Sequence, residues 1–171
     1  MSGCVFRCRL QARPLYYGAL AFSTLVANYS RWVSSTLSAV PLAEVANVAQ
    51  HAAVDEHGRL KVLLIGKELT ARAMLPFSVR VIGGASQFEH HRGGITVARM
   101  LPNEAKGAMS KYGDCITFAG QTWDGSSDGG PVGERLVESA DAQVAPGGKD
   151  LVVNVQVGRV SAALLTFEPL R

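Results

Sequence analysis

The sequence predicts an α+β fold, in which antiparallel strands form a partly open β-barrel or sandwich with two helices, preceded by an N-terminal helical segment. Its 171 residues suit one domain with an extension. Short apolar runs with period-2 alternation, separated by Gly, Pro and Asp, indicate strands and turns. An apolar stretch without acidic residues precedes these runs and indicates a helix. The predicted parts are an N-terminal targeting or anchor segment (1–33), a connector helix (34–57), a strand-rich domain (58–158) and a C-terminal extension (159–171).

The N-terminal segment is first basic and then apolar. Glu44 is the first acidic residue, and four arginines precede it: Arg7, Arg9, Arg13 and Arg31. Residues 15–33 read LYYGALAFSTLVANYSRWV, and their apolar content and aromatic ends are typical of a membrane-inserted helix of about 19 residues. Asn28 and Arg31 fit such a helix less well, since polar groups are costly inside a membrane.

Three interpretations of this segment compete. A basic, acid-free composition is typical of a mitochondrial presequence, whereas a signal peptide has a shorter and less interrupted apolar region. The third is a retained transmembrane or interfacial anchor. We favour the interpretation of a retained, organelle-targeted anchor. The next most favoured interpretation is a helix packed on protein partners. The expected location is a mitochondrial membrane, or otherwise another membrane-associated compartment, with membrane contact through residues 15–33.

Charge and cysteine usage narrow the function classes. The net charge is +3, but Lys/Arg clusters with interleaved aromatic residues are missing, so we expect no nucleic-acid partner. Cys4, Cys8 and Cys115 leave an odd count without repeated spacing, which argues against a disulfide framework. Cys115 lies in an apolar run and is expected to be a buried, unreactive thiol. We expect no cofactor and no metal site.

The local patterns from residue 34 onward predict the remaining elements. The connector helix rests on apolar residues at helical spacing, namely Leu42, Val45, Ala46, Ala49 and Ala53. Strands are predicted for LKVLLI (60–65), FSVRV (77–81), ITVAR (95–99) and CITF (115–118), and Pro146 to Gly148 turn the chain into the apolar run LVVNVQV (151–157). Pro131 suits the first position of a helix over residues 132–144, in which Leu136, Val137 and Ala140 would share one face.

The order of these elements resembles the PDZ domain family over residues 58–158. MLPF (74–77) is similar to the family's carboxylate-binding loop, and the strand after it to the family's second strand. LPNEA (101–105) resembles the turn and short helix of the family, and GDCITFAGQ (113–121) its Gly-Asp turn and fourth strand. The resemblance implies a non-catalytic protein-interaction or scaffold protein, tethered to a membrane or membrane complex, for example as an accessory subunit of a mitochondrial assembly.

The resemblance also implies a binding groove. A PDZ domain takes the C-terminus of its partner as an extra strand beside its second strand. Here the groove would be lined by Leu75, Pro76, Phe77, Ser78, Val79, Arg80 and Val81, with Leu136 and Val137 across it. Pro76 replaces the family's Gly and has no N–H, which implies carboxylate capture weaker by about one to two decades. The implied partner is a C-terminal or internal peptide, or a neighbouring subunit.

Two other function classes stay open at this stage. The same strand pattern suits an OB-type barrel that binds single-stranded nucleic acid. A small metal-dependent enzyme or regulator would place its site in the loop from Glu89 to Arg92, which contains His90 and His91, or in the loop from Asp124 to Asp128, although neither has the spacing of a known metal motif. Residues 159–171 are expected to add a strand or helix that packs on the domain.

Overall fold

The computed structural model describes residues 14–28, 31–36, 48–67, 75–91, 93–102, 116–158 and 161–171. Within these residues the chain forms one α-helix and ten β-strands, whose bounds are α1 Pro14–Val26, β1 Arg31–Trp32, β2 Val48–Val54, β3 Leu60–Gly66, β4 Leu75–Val81, β5 Ile95–Pro102, β6 Ile116–Phe118, β7 Glu138–Ser139, β8 Ala142–Val144, β9 Leu151–Val157 and β10 Ser161–Phe167. A short 3₁₀ helix, Gly84–Ser86, follows β4.

The strands form two open antiparallel sheets in the described part of the chain. The large sheet has the order β1-β2-β3-β10-β5-β6, and β7 also pairs with β5. The small sheet has the order β4-β9-β8. Each sheet ends in edge strands, so these strands do not close into a barrel. The coarse prediction of a mainly antiparallel fold with a helix is confirmed, whereas the described strands do not form the OB-type barrel of the alternative.

The centre of the large sheet is made by β3 and β10. β10 pairs with β3 on one side and with β5 on the other, in registers such as Leu164↔Leu63 and Leu164↔Ala98. Nearly every residue of β3 and β10 is buried, which agrees with their continuous apolar sequences LKVLLIG and SAALLTF, because a strand covered on both faces does not need polar alternation.

The two faces of the large sheet bury different partners. One face packs against the small sheet, and its core includes Leu165 and Phe167 of β10 with Val153 and Val157 of β9. The other face packs against α1. The molecule is therefore layered as helix, large sheet and small sheet.

The buried side of α1 has a four-residue repeat. Tyr17, Ala21 and Leu25 are almost fully buried, as expected for positions that share one side of a helix. The sheet below them presents the small side chains of Ala53, Ala98 and Ala162, so the helix can approach closely. α1 ends where Asn28 adopts a left-handed conformation (φ 64°), which is a common way to stop a helix.

The structure confirms the predicted strands at residues 60–65, 77–81, 95–99, 116–118 and 151–157 and corrects three other predictions. The 19-residue N-terminal helix is wrong in length, because α1 has 13 residues and the chain turns back into β1. None of the helices in the described residues is long and apolar enough to cross a membrane. The connector helix is wrong for residues 48–54. These residues form β2 and pair with β3 along its whole length.

The helix predicted over residues 132–144 is also wrong. This segment forms β7 and β8 instead, and Gly133 has a φ of +100°, which is outside the helical region. The backbone N–H of Leu136 donates to Ala119, and that of Ala140 donates to Ile95. Hydrogen bonds to the large sheet thus replace those that a helix would make within itself.

The predicted domain limits fall between strands that pair with each other. β2 lies in the predicted connector and β10 in the predicted extension, and both pair with β3 of the predicted domain. Several predictions lie outside the described residues, namely those for Cys4, Cys8, Met74, Arg92, Cys115, residues 37–47 and residues 103–105.

Candidate protein-binding surfaces

The first candidate surface is the free edge of β4. This strand carries the predicted groove residues Leu75 to Val81 and pairs with β9 over its whole length, from Leu75↔Val157 to Val81↔Leu151. No second strand pairs with it among the described residues. Within the part of the chain that the structure describes, seven residues of extended backbone therefore have one side without a partner strand.

The hydrogen bonds around β9 show which residues of β4 face that side. In an antiparallel pair the N–H and C=O of one residue point the same way, and successive residues alternate. The carbonyl of Gln156 accepts from Arg99 (2.5 Å), and that of Asp150, just before β9, accepts from the N–H of Ala145 (2.8 Å). The backbone N–H and C=O groups of the even-numbered residues of β9 thus point away from β4. The odd-numbered positions bond to β4, and their partners there are Leu75, Phe77, Val79 and Val81.

Pro76 agrees with this alternation. It lies opposite Gln156 and has no N–H to give to β9, and a proline inside a sheet is tolerated where its nitrogen faces away from the ladder. The free edge therefore presents the N–H groups of Ser78 and Arg80 and the carbonyl groups of Pro76, Ser78 and Arg80.

The side chains of β4 separate into a buried and an exposed row. Phe77, Val79 and Val81 pack against the sandwich core, whereas Pro76, Ser78 and Arg80 are exposed. Arg80 and Ser78 both reach toward the β9 side, where the Arg80 guanidinium lies 2.7 Å from Asp150 and the Ser78 hydroxyl 2.5 Å from Asn154. Their polar ends are held away from the free edge. A charge on an edge strand normally discourages pairing, and here that charge is already neutralised.

Asp150 is held in its ionised form by its neighbours. It accepts a hydrogen bond from the backbone N–H of Gly83 and another from the Arg80 side chain, and these bonds keep the pKa of Asp150 below its ordinary value. The pair between Arg80 and Asp150 is therefore charged at neutral pH.

The second wall of the predicted groove is not at β4. Leu136 and Val137 lead into β7, which pairs with β5 in the large sheet, whereas β4 belongs to the small sheet. Leu136 is 60% exposed. The structure thus brings together the predicted residues of β4, but it does not add Leu136 and Val137 on a helix beside them.

The second candidate surface is formed by α1 and β1. We define the α1–β1 face as the exposed residues Tyr16, Gly18, Ala19, Phe22, Trp32 and Val33. Tyr16, Phe22 and Trp32 are 42%, 44% and 55% exposed. The rings of Phe22 and Trp32 lie 6.0 Å apart, and each is within 6.5 Å of the His51 ring on β2. The exposed rings of Phe22 and Trp32 thus form one apolar patch with His51 beside it.

A buried ionic cluster fixes the C-terminal end of α1. The Lys61 ammonium donates to the carbonyl oxygens of Thr24 (3.1 Å) and Ala27 (3.4 Å) and lies 3.5 Å from the carboxylate of Asp55. The last carbonyl groups of a helix lack partners within the helix and carry partial negative charge. A buried lysine below them satisfies the hydrogen bonding and complements the charge.

Asp55 neutralises that lysine and is itself well bonded. Burial opposes ionisation, but the backbone and side-chain hydrogen bonds and the charge of Arg59, with the N–H of His57, outweigh burial and hold the pKa of Asp55 below its ordinary value. The Arg59 side chain lies 2.8 Å from the carboxylate. Asp55 is therefore an anion at neutral pH.

The N-terminal half of α1 is fixed by Tyr17. Its hydroxyl shares a hydrogen bond with the Thr122 hydroxyl (3.0 Å) and accepts the backbone N–H of Trp123 (3.1 Å). The Trp123 ring also contacts Tyr16, at 5.6 Å between centroids. Both ends of the helix are thus attached to the sheet side of the molecule.

The two polar loops have local roles. The rings of His90 and His91 lie 4.6 Å apart, and the Asp128 carboxylate accepts hydrogen bonds from Ser126 and the N–H of Gly130, which lower the pKa of Asp128. The part of the chain that the structure describes holds no group of three His, Cys, Asp or Glu side chains that could bind a metal ion.

Comparisons with known proteins give little further guidance. No family model matches the sequence, and no curated protein matches it. The solved structures that resemble it include the catalytic domain of GH30 xylanase C from Talaromyces cellulolyticus, with a TM-score of 0.44 and 12% identity, covering 86% of this chain and 22% of that chain. The chain thus spans about a fifth of that structure, and a likeness at this level shows neither a shared family nor a shared function.

Sequence reasoning missed that α1 packs on the large sheet of its own chain. Phe22 and Trp32 were assigned to a membrane helix, because a helix with apolar residues on all sides suits a bilayer as well as a protein interior. The four-residue repeat of Tyr17, Ala21 and Leu25 is the feature that could have revealed a helix packed on the domain.

Proposed function

We propose that this chain is a non-catalytic protein-interaction module that takes an extended segment of a partner along the free edge of β4. The observation that carries the proposal is the backbone of Pro76, Ser78 and Arg80, which has no strand partner among the described residues, on a strand whose other side is fully paired. The PDZ resemblance suggests the mode of binding, which is strand addition. The proposal does not include the groove that the resemblance implied. Location at a mitochondrial membrane stays a prediction.

The bound segment would extend the small sheet by one strand. It would pair with two N–H and three C=O groups, and each such bond contributes about 0.5–1.5 kcal/mol net. Its alternate side chains would continue the apolar row of Phe77 and Val79. Part of this binding free energy offsets the conformational entropy that the peptide loses when it becomes ordered. We therefore expect a weak interaction, with a Kd of order micromolar or above.

Pro76 sets a preference between two kinds of segment. The carboxylate of a peptide C-terminus requires several N–H donors at the start of the edge, and Pro76 supplies none. An internal segment requires only alternating donors and acceptors. The proposal therefore favours an internal segment of a partner or of a neighbouring subunit.

A peptide that copies β9 is a suitable probe, because β9 already has the sequence that pairs with β4. We expect a labelled LVVNVQV peptide with two flanking lysines at each end to bind the full chain in fluorescence anisotropy. Ser78→Pro removes one of the two edge donors and is expected to weaken binding about tenfold, because it also places a ring at the edge. Pro76→Ala adds a donor and is expected to strengthen binding several-fold.

Two controls separate binding from folding. Ser78→Ala removes the hydroxyl bond to Asn154 and keeps the edge N–H, so its affinity should equal that of the wild-type chain. Thermal unfolding should show that Ser78→Pro is folded, since its nitrogen faces away from β9. Equal affinity of Ser78→Pro and Ser78→Ala, with both folded, would rule out strand addition at this edge.

A further inference from the structure

We infer that Asn28 carries an N-linked glycan, attached in the lumen of the endoplasmic reticulum. This inference does not rest on the β4 edge. Asn28 follows the helix α1, which covers one face of the large sheet, whereas the small sheet with β4 covers the other face.

The first observation is the sequence Asn28-Tyr29-Ser30. Asparagine followed two residues later by serine or threonine, with any residue except proline between them, is the acceptor sequence for N-glycosylation. The sequence contains three other asparagines, which are followed two residues later by Ala49, Ala105 and Gln156. Asn28 is therefore the one asparagine of the sequence in an acceptor motif.

The second observation is that the packing of α1 leaves Asn28 accessible. In a membrane-inserted helix over residues 15–33, this asparagine would lie within the apolar layer, where a transferase in the lumen could not reach it. In the structure α1 packs on the large sheet of its own chain and ends at Val26. Ala27 and Asn28 form the turn that follows and are exposed to water.

The third observation is that the folded chain has room for a glycan at this position. The backbone of Asn28 is fixed, because its carbonyl accepts the N–H of Glu56 (3.2 Å). The side chain of Glu56 is 52% exposed, and that of the next residue, His57, is 61% exposed. A bulky polar group on the Asn28 side chain would therefore stay in solvent and displace no residue of the core.

The left-handed conformation of Asn28 explains part of the motif and not all of it. A φ of 64° favours asparagine or glycine, so α1 could end in this way without any modification. This requirement places no hydroxyl group two residues later. Tyr29 and Ser30 lie outside the described residues and contribute through their sequence alone.

The modification joins the side-chain amide of Asn28 to a sugar. The amide nitrogen forms a bond to the anomeric carbon of an oligosaccharide that is carried on a polyprenyl pyrophosphate lipid. The bond between that carbon and the pyrophosphate oxygen breaks, and its electron pair leaves with the pyrophosphate. The amide nitrogen loses one proton. This chain supplies the nucleophile and the acceptor sequence, and a membrane transferase supplies the catalysis.

A glycan at Asn28 also bears on location. It requires residue 28 to enter the lumen, which agrees with a membrane-associated compartment of the secretory pathway. It is incompatible with the mitochondrial membrane predicted from the basic N-terminal segment. The same experiment therefore distinguishes between these two locations.

Digestion with peptide N-glycosidase F tests the inference on the full chain, isolated with an epitope tag from cells of the source organism. We expect the wild-type chain to migrate faster in gel electrophoresis after digestion. Digestion in heavy-oxygen water should leave a labelled aspartate at position 28, detected by mass spectrometry. Ser30→Ala should lose both signals, whereas Ser30→Thr keeps the acceptor sequence and should retain them.

Two further variants separate loss of the glycan from loss of folding. Asn28→Asp removes the amide but keeps a residue that tolerates the left-handed conformation, so it should lose the glycan and remain folded in thermal unfolding. Asn154→Asp changes an exposed asparagine of β9 outside any acceptor sequence, and it should keep the glycan.

Two results would overturn the inference. One is a wild-type chain from the source organism whose mobility the digestion leaves unchanged. The other is a shift that persists in Ser30→Ala. Binding of the β9-derived peptide is measured on chain made in bacteria without a glycan, so failure of the glycan test leaves the proposed function unaffected.

Discussion

Asp55→Ala is expected to lower the free energy of unfolding by about 3–5 kcal/mol, because it leaves the buried Lys61 ammonium without its counter-charge. The side chain of Asp55 is fully buried and that of Lys61 is only 7% exposed, so water cannot replace the lost carboxylate. Chemical denaturation at pH 7 measures the change. Glu56→Ala, at the exposed neighbouring position, is the control and should change stability by less than about 0.5 kcal/mol.

The same carboxylate predicts how stability depends on pH. Since the folded chain lowers the pKa of Asp55, its contribution is complete above the ordinary carboxyl pKa of 3.8 and is lost as the pH falls through the lower value of the folded state. The stability difference between wild type and Asp55→Asn should thus be constant from neutral pH to about pH 5 and shrink in stronger acid. A difference that grows toward acid would contradict this assignment.

Phe167→Ala is expected to cost about 3–5 kcal/mol, as truncation of a large buried ring leaves a cavity. Phe167 is fully buried in the central strand β10, and its ring packs edge-to-face on Phe88 at 6.0 Å. Thermal unfolding should show a drop of roughly 10 °C for a chain of this size.

Leu170→Ala is the matched control, because Leu170 follows the same strand and is 45% exposed. It should leave the melting temperature nearly unchanged. A similar small effect of Phe167→Ala would mean that residues 161–167 do not form the centre of the sheet.

Local pattern was sufficient for the strands with clear apolar sequences. LKVLLIG and LVVNVQV indicate strands because β-branched and apolar residues dominate them, and the structure has β3 and β9 there. It was not sufficient for β2, whose sequence VAQHAAV is rich in alanine. Alanine favours helices when alone, but here Ala53 of β2 packs against α1 and the whole strand pairs with β3, and this pairing determines the outcome.

The helix predicted over residues 132–144 also shows that local sequence pattern is not sufficient. Pro131 and the spacing of Leu136, Val137 and Ala140 satisfy the local rules for a helix. The hydrogen bonds that this segment makes to Ala119 and Ile95 come from distant parts of the chain, and no local rule includes them. Of the candidate surfaces, the residues of β4 could be predicted from alternation, whereas its free edge depends on the order of all strands in the sheet.

The central place of β10 has a consequence for synthesis on the ribosome. Within the described residues, β3 and β5 are joined in the sheet through residues 161–167, which are made about a hundred residues after β3. Until those residues leave the exit tunnel, the apolar strands β3 and β5 each lack β10 as a partner. The nascent chain should therefore need a chaperone or risk aggregation. Translation that stops before residue 161 should therefore release a product in which the large sheet cannot form.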